Sequence, residues 1–267
     1  MTFSLVARCK KTGMLGTAVT SSSPAVAARC SYTRANVGAV STQNVTDPSL
    51  GKKSLDFLET GLSSSKVIEK IKATNKHLEY RQVLIIDSKG QTAIHSGNNS
   101  LGIWSEAIGD NIISAGNLLA NKEVTKSIIS VFEKTKGHLA DRMLAGLKAG
   151  LDAGGEAGPI HSAGIKISHQ VSWPIIDLRC DWTEECPITK LSEIWKIYKP
   201  QTPQIIKNGG WHFNDLKKPQ DLSKKFKSGA HQEENIDEFT NIENIRKRID
   251  EKKDLLGRNY KYEIINI

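Results

Sequence analysis

Hydrophobic and polar residues alternate along residues 2–199 with two different periods, one typical of strands and one typical of helices. Short runs rich in Val, Ile and Leu, bounded by Gly, Asn, Asp or Ser, are typical of strands. A further pair of strands is predicted within residues 104–115, with a break near Gly109 and Asp110. The remaining predicted strands cover residues 2–9, 14–21, 36–43, 80–87, 91–96, 162–168 and 174–182.

Apolar residues recur at helical spacing between these groups of strands. The predicted helices cover residues 52–59, a segment that begins at a serine cap in 63–65, and residues 123–134, 139–151 and 187–198. Residues 25–30 fit either a helical turn or a packed loop. Helix pairs that alternate with antiparallel strand groups predict an α+β fold, and we expect a four-layer α/β/β/α sandwich.

The chain changes character near residue 200. Beyond this point it is polar and rich in lysine, with a weak helical pattern only near residues 242–256. We therefore predict a folded domain over residues 1–202 and a C-terminal extension of unknown role over residues 203–267.

Composition narrows the class of protein. The chain has 267 residues, 38% of them hydrophobic, and four cysteines, which are too few for a disulfide scaffold. No run approaches the roughly 20 apolar residues of a membrane helix, and the start does not resemble a signal peptide. We expect a soluble cytoplasmic protein with no membrane association.

The net charge of +8 raises the question of a nucleic-acid partner. The lysines are spread along helix-like segments and concentrate in residues 217–227, without an arginine-rich stripe interleaved with aromatic residues. This distribution favours a solvated lysine-rich surface over nucleic-acid binding. If the basic C-terminal stretch did bind nucleic acid, truncation near residue 202 would abolish strongly salt-dependent binding.

The start of the first predicted strand carries a candidate nucleophile. Met1 precedes a small residue, so its removal is expected to make Thr2 the first residue of the mature chain. An N-terminal threonine combines a hydroxyl with an α-amine of pKa about 7.7–8.0, which can act as the general base. Alternatively, Thr2 is an inert strand start, because many proteins begin with Met-Thr.

Several short segments together resemble one protein family. In chain order they are residues 2–8 (TFSLVAR), 38–43 (GAVSTQ), 80–82 (YRQ), 116–120 (GNLLA), 154–156 (GGE) and 161–164 (HSAG). They resemble the Ntn-hydrolase-like family known as domain of unknown function 1028, over about residues 2–200. Further segments between residues 173 and 201 resemble one branch of that family.

The resemblance implies an N-terminal nucleophile hydrolase fold, the same sandwich that the element order predicts. It also implies an amide-hydrolysing activity without a settled substrate. Another branch of the family has Asp, Arg and Gln where this chain has Glu156, Gly158 and His161. Substrate contacts of that branch therefore do not transfer to this chain, and the resemblance does not extend beyond about residue 202.

If Thr2 is the nucleophile, the site needs donors for the charge that develops on the substrate carbonyl oxygen. Asn117 is the candidate donor, together with backbone N–H groups near Thr42 and Gln43. The alternative for Asn117 is a turn or cap before the next helix.

Three charged or titratable residues are candidates for further roles. Glu156 follows two glycines and would hold either the Thr2 ammonium or a substrate amine, unless it is a solvated loop charge. His161 is a candidate substrate contact or auxiliary base, or a hydrogen-bonded structural histidine. Arg81 would bind a substrate carboxylate or form a structural ion pair.

These residues lead to the hypothesis of a hydrolase for a small or non-peptide amide. No metal or organic cofactor is required, and Cys180 and Cys186 lack the second pair of ligands that a zinc site needs. The competing hypothesis is a non-catalytic binding module with the same fold, in which Met1 is retained or Thr2 lies away from any cleft. The oligomeric state is left open, although sandwiches of this kind often form homo-oligomers.

Overall fold

The computed structural model describes residues 1–199, 205–206, 241–251 and 264–265. The chain divides into two compact units, Met1–Lys196 and Ile197–Ile267. The strands are β1 (Thr2–Arg8), β2 (Leu15–Ser21), β3 (Ser31–Arg34), β4 (Gly38–Asn44), β5 (Arg81–Asp87), β6 (Thr92–Ser96), β7 (Ser105–Gly109), β8 (Ile112–Asn117), β9 (Ser162–Ser168), β10 (Ile176–Cys180), β11 (Ile205–Ile206) and β12 (Ile264–Ile265). The helices are α1 (Val26–Cys30), α2 (Ser49–Glu59), α3 (Ser64–Thr74), α4 (Glu123–Lys134), α5 (Leu139–Asp152), α6 (Pro187–Tyr198) and α7 (Ile242–Asp250), with a 3-10 turn at Leu78–Tyr80.

The first unit contains two antiparallel sheets. A six-stranded sheet has the order β10-β9-β2-β1-β8-β7, and a four-stranded sheet has the order β3-β4-β5-β6. Strand β1 lies between β2 and β8, and its register places Thr2 opposite Asn117. The start of β1 is therefore in the interior of the six-stranded sheet, at the end of the strand rather than along an open edge.

Each sheet packs against helices with one face. Phe3 and Leu5 of β1 point towards α5, where they lie close to Gly150 and Gly146. On the four-stranded sheet, one buried cluster joins strand residues to α2 and α3. Its strand members are Val40, Val83 and Ile85, and its helix members include Leu50, Leu55, Leu58, Val67, Ile68 and Ile71.

The other faces of the two sheets pack against each other. Side chains alternate between the two faces of a strand, so Val6 points away from α5 while Leu5 points towards it. The buried cluster between the sheets consists of Val6, Leu15, Ala39, Leu84, Ile86, Ile113 and Ala115. We call this region the inter-sheet layer.

The predicted mixed α+β class is confirmed, and most predicted elements occur within a few residues of their expected bounds. Helix α4 covers the predicted residues, because Val124, Ile128 and Phe132 form a buried stripe at helical spacing. Strand β3 was not predicted, since its polar residues are mostly half-buried and lack a clear apolar pattern.

In the second unit, β11 pairs with β12 and α7 ends at Asp250. Helix α7 covers the first part of the helical pattern predicted for residues 242–256. The lysine-rich residues 217–227 and the predicted boundary at residue 202 lie outside the described residues, so both remain predictions.

Candidate functional site

The Thr2 hydroxyl lies at the end of the inter-sheet layer, where β1 begins. Thr2 is buried, and its Oγ1 donates a hydrogen bond to the Met1 carbonyl oxygen at 2.5 Å. The Ser21 hydroxyl, at the end of β2, donates to the same oxygen at 2.5 Å. The two hydroxyl oxygens are 3.3 Å apart. Two hydroxyl groups therefore converge on one carbonyl oxygen next to a strand terminus.

Asn117 is the neighbour of Thr2 on the adjacent strand. Directly opposite residues of an antiparallel pair point to the same face, with Cβ atoms about 4.5–5.5 Å apart. The Asn117 side chain is 1% exposed, and its Nδ2 donates to Gln82 Oε1 at 3.0 Å. Asn117 therefore belongs to a buried hydrogen-bonded chain.

Two backbone carbonyl groups fix the orientation of this chain of amides. Gln82 Nε2 donates to Gly116 O at 3.2 Å, and Gln43 Nε2 donates to Ala115 O at 3.1 Å. A carbonyl oxygen can only accept, so both amides must present nitrogen to it. Gln82 Oε1 then faces away from the carbonyl groups and accepts from Gln43 Nε2 at 3.0 Å.

The orientation of the Gln82 amide determines the orientation of the Asn117 amide. Gln82 Oε1 is an acceptor, so Asn117 must offer its nitrogen to it, not its oxygen. An amide nitrogen carries two N–H groups, and one bond to Gln82 leaves the other N–H for a different acceptor. Ser4 completes the chain by donating to Gln43 Oε1 at 2.6 Å. The network presents Asn117 as a donor at the strand end that also holds Thr2.

Glu156 brings a buried carboxyl group to the same strand end. It follows Gly154 and Gly155 in a loop that pairs with Leu119 after β8. Only 5% of Glu156 is exposed; its Oε2 accepts from the Ser22 N–H at 3.2 Å, whereas Oε1 has no hydrogen-bond partner. Gly155 has a φ of 61°, in the left-handed region that glycine adopts without steric cost. A glycine is therefore suited to the position directly before Glu156.

Burial raises the pKa of Glu156 to about 7. The positive charge of the chain's terminal amine and the hydrogen bond from Ser22 lower this pKa, but they do not offset burial. The carboxyl group therefore changes between its neutral and its charged form near neutral pH. The hydrogen bond from Ser22, the residue after Ser21, holds this carboxyl group beside the start of β1.

Met1 and His161 border the same region. A methyl group on Gly158 would lie 3.2 Å from Met1 Cε, so the Met1 side chain rests on this glycine. The His161 N–H donates to Ser21 O at 2.9 Å. The His161 ring lies 2.9 Å, through Nδ1, from Thr183 O and stacks on Trp182 with centroids 4.4 Å apart. His161 is thus held by a backbone contact next to Ser21.

Thr42 and Arg81 lie on the opposite face of the four-stranded sheet. Residues two apart share a face, so Arg81 shares the helix-facing side with Val83, whereas Gln82 points into the inter-sheet layer. Thr42 Oγ1 lies 3.3 Å from Thr46 Oγ1. Arg81 Nε is buried without a hydrogen-bond partner. These side chains are therefore not brought to the Thr2 hydroxyl.

Two further residues of the site were not chosen from the sequence. Ser21 shares the Met1 carbonyl with Thr2, and Gln82 orients Asn117. The hairpin register offers a signal for Ser21, because it places the end of β2 beside the start of β1. The motif at residues 80–82 contains Gln82, but a strand that is apolar on both faces does not reveal which neighbour points inward.

Within the described ranges, no group of three or more His, Cys, Asp and Glu side chains is placed to hold a metal ion. No helix in these same ranges is long and apolar enough to cross a membrane.

Comparisons with known proteins identify the family to which this chain is similar. The sequence model of a family of unknown function, DUF1028, matches residues 2–191. The crystal structure of a DUF1028 protein from Silicibacter pomeroyi has a TM-score of 0.69 and 24% identity, over 74% of this chain and 89% of that one. This likeness concerns the fold alone.

A second solved structure is Anbu (ancestral beta-subunit) from Yersinia bercovieri. It has a TM-score of 0.35 and 11% identity, over 76% of this chain and 99% of that one. No protein of curated function matches the chain.

Proposed function

The chain belongs to the DUF1028 family of unknown function, and we propose that it is an amide hydrolase whose nucleophile is Thr2. The proposal requires Met1 to be removed, so that Thr2 carries a free α-amine. The observation that supports it is the convergence of the Thr2 and Ser21 hydroxyls on one carbonyl oxygen at a buried strand end. The substrate is a small or non-peptide amide.

The proposal includes the fold type. The two antiparallel sheets, which pack against each other with one face and against helices with the other, support our proposal of an α/β/β/α sandwich. An N-terminal nucleophile hydrolase places its first residue at the end of a central strand between the sheets. The start of β1 at Thr2, beside Asn117 at the end of β8, supports the assignment of Thr2 to this position.

The reaction follows from the groups at the strand end. The α-amine of Thr2 accepts the hydroxyl proton while Oγ1 attacks the substrate carbonyl carbon. The C–N bond of the amide breaks, and the leaving amine takes the proton from the Thr2 ammonium. Water then attacks the resulting ester while the Thr2 α-amine accepts its proton, and the Thr2 ammonium returns this proton to Oγ1 as the ester C–O bond breaks. This step releases the acid and restores the hydroxyl.

Asn117 and Ser21 would stabilise the negative charge on the carbonyl oxygen. A donor contributes most when it is already oriented, since no rearrangement is needed during the reaction. The second N–H of Asn117 is oriented by the bond to Gln82 Oε1. The Ser21 hydroxyl already donates to a carbonyl oxygen beside Thr2.

A reactive hydroxyl can be tested without knowing the substrate. Phenylmethylsulfonyl fluoride sulfonylates activated hydroxyl groups, and peptide mapping by mass spectrometry identifies the modified residue. We expect one adduct per chain on Thr2. Thr2→Ala should remove the adduct while circular dichroism shows an unchanged fold, and Thr2→Ser should retain part of the labelling rate.

Thr20→Ala is the matched control. Thr20 is a buried threonine on β2, and its hydroxyl donates to Ser162 O, not to a group at the site. This variant should label like the wild type. Equal labelling of Thr2→Ala and wild type, or no labelling of a mature chain that begins at Thr2, would overturn the nucleophile and favour a non-catalytic binding module.

A further inference from the structure

Met1 occupies the region in which an acyl group attached to Thr2 would lie. Only the Cα and Cβ atoms separate the Thr2 nitrogen, which carries the Met1 acyl group, from the hydroxyl oxygen that would carry a substrate acyl group. An acyl carbon bonded to either atom therefore lies in the same small region. Met1 shows which contacts this region offers to an acyl group.

The carbonyl oxygen and the side chain of Met1 have separate contacts. Its carbonyl oxygen accepts from the Thr2 and Ser21 hydroxyls, both at 2.5 Å. Its thioether end rests on Gly158, where a methyl group would lie 3.2 Å from Met1 Cε. Its ammonium group acts on Glu156 through its charge, which lowers the pKa of that carboxyl group. The carbonyl oxygen and the apolar side chain are thus contacted separately, and the amine acts on Glu156 through its charge.

Glu156 has one carboxyl oxygen without a hydrogen-bond partner. Its side chain is buried, and Oε1 accepts no hydrogen bond. An isolated buried carboxylate is unfavourable, whereas one that pairs with an ammonium group and keeps its remaining hydrogen bonds is stabilised. The terminal charge of the chain already attracts it. A ligand ammonium group would supply the missing donor.

We propose that the site beside Thr2 binds an α-aminoacyl group, so that the substrate is an amide of an amino acid with a free α-amine and a flexible apolar side chain. This inference rests on the proposed function and specifies its substrate class. The ammonium group pairs with Glu156, the side chain lies on Gly158, and the carbonyl oxygen accepts from Ser21. Hydrolysis adds one water across the amide and yields a free amino acid and an amine, with no change in oxidation state.

The binding preference can be measured separately from catalysis. The mature Thr2→Ala chain, with Met1 removal verified by mass spectrometry, is titrated calorimetrically with methioninamide. The matched ligand is the analogue in which hydrogen replaces the amino group. We expect methioninamide to bind about 10- to 100-fold more tightly, the range for a charge-assisted hydrogen bond. Glu156→Gln in the same background should bring the ratio of the two Kd values close to one.

Glu69→Gln provides the charge control. Glu69 is an exposed carboxylate on α3 that pairs with Lys66, and removing it changes the net charge by the same amount. This variant should keep the preference for the free amine. Equal Kd values for the two ligands, no binding of either, or a preference that survives Glu156→Gln would overturn the inference.

The binding test of this inference and the sulfonylation test of the proposed function can give different results. If methioninamide is preferred but Thr2 is never sulfonylated, the α-aminoacyl site is supported and the nucleophile is refuted. If Thr2 is sulfonylated but the amine brings no preference, the hydrolase is supported and this substrate class is refuted.

Discussion

The inter-sheet layer has an apolar end and a polar end, and β1, β4, β5 and β8 contribute residues to both. Leu84 of β5 contributes to the apolar end, and Gln82, two residues earlier on the same face, contributes to the polar end. On the other three of these strands, too, apolar residues and polar residues lie along the same face. The corresponding pairs are Val6 and Ser4 on β1, Ala39 and Gln43 on β4, and Ala115 and Asn117 on β8.

The two ends differ in what burial achieves. Apolar side chains gain free energy by leaving water, about 25 cal/mol for each Å² buried. Buried amides gain little net free energy from their hydrogen bonds, but an unpaired amide costs about 1–3 kcal/mol. The polar end therefore adds little stability and instead fixes orientations, including that of Asn117. We infer that the apolar end stabilises the fold and that the polar end sets the geometry beside Thr2.

The largest expected effect on stability comes from the apolar end. Leu84→Ala removes buried methyl groups and leaves a cavity, which should lower the free energy of unfolding by about 2–5 kcal/mol. Urea denaturation measures this loss. The folded fraction should still be sulfonylated on Thr2 at the wild-type rate. A loss below about 1 kcal/mol would contradict the assignment of stability to this end.

The pH dependence of stability tests the carboxyl group at the polar end. The pKa of Glu156 is raised from 4.5 to about 7, so the folded state binds its proton more tightly than the unfolded state. Stability should therefore be highest below pH 4.5 as far as this group is concerned, and should fall as the pH rises through 7. At about 1.36 kcal/mol per pKa unit, the loss is on the order of 3 kcal/mol.

Thermal or urea unfolding between pH 5 and pH 8 checks this slope. Glu156→Gln should flatten it and should be the more stable protein at pH 8, whereas Glu69→Gln should retain the wild-type slope. A Glu156→Gln variant with an unchanged slope would show that the carboxyl group is not buried in the charged form at high pH.

A smaller change in stability is expected from a substitution of Gln82. Gln82→Leu keeps a similar volume but removes the oxygen that accepts from Asn117 and Gln43, which should cost about 1–3 kcal/mol. Because Asn117 then loses its orientation, the rate of Thr2 sulfonylation should fall by about 10-fold or more.

Leu84→Met is the control on the same face of β5. A volume-conserving apolar change should cost less than about 1.5 kcal/mol and should leave the sulfonylation rate unchanged. If Gln82→Leu were as reactive as Leu84→Met, the amide chain would have no role in positioning Asn117.

The sequence predicted the helices and strands better than it predicted the face of the sheet on which each side chain lies. Helix α4 was predictable because Val124, Ile128 and Phe132 mark one face. Strand β5 is buried on both faces, so its apolar run does not distinguish the inward-facing residues from the helix-facing ones. For this reason the sequence favours the charged Arg81 as a candidate and does not reveal the role of Gln82. Thr2, Asn117 and Glu156 were chosen on chemical grounds, and register and a glycine loop bring them to one strand end.

The measurement that tests the central claim most directly is the intact mass of the purified native chain, together with sequencing of its first residues. The account predicts a chain that lacks Met1 and begins with an unmodified Thr2 amine. A chain that retains Met1, or whose Thr2 amine is blocked, would have no general base at this position and would contradict the proposed mechanism.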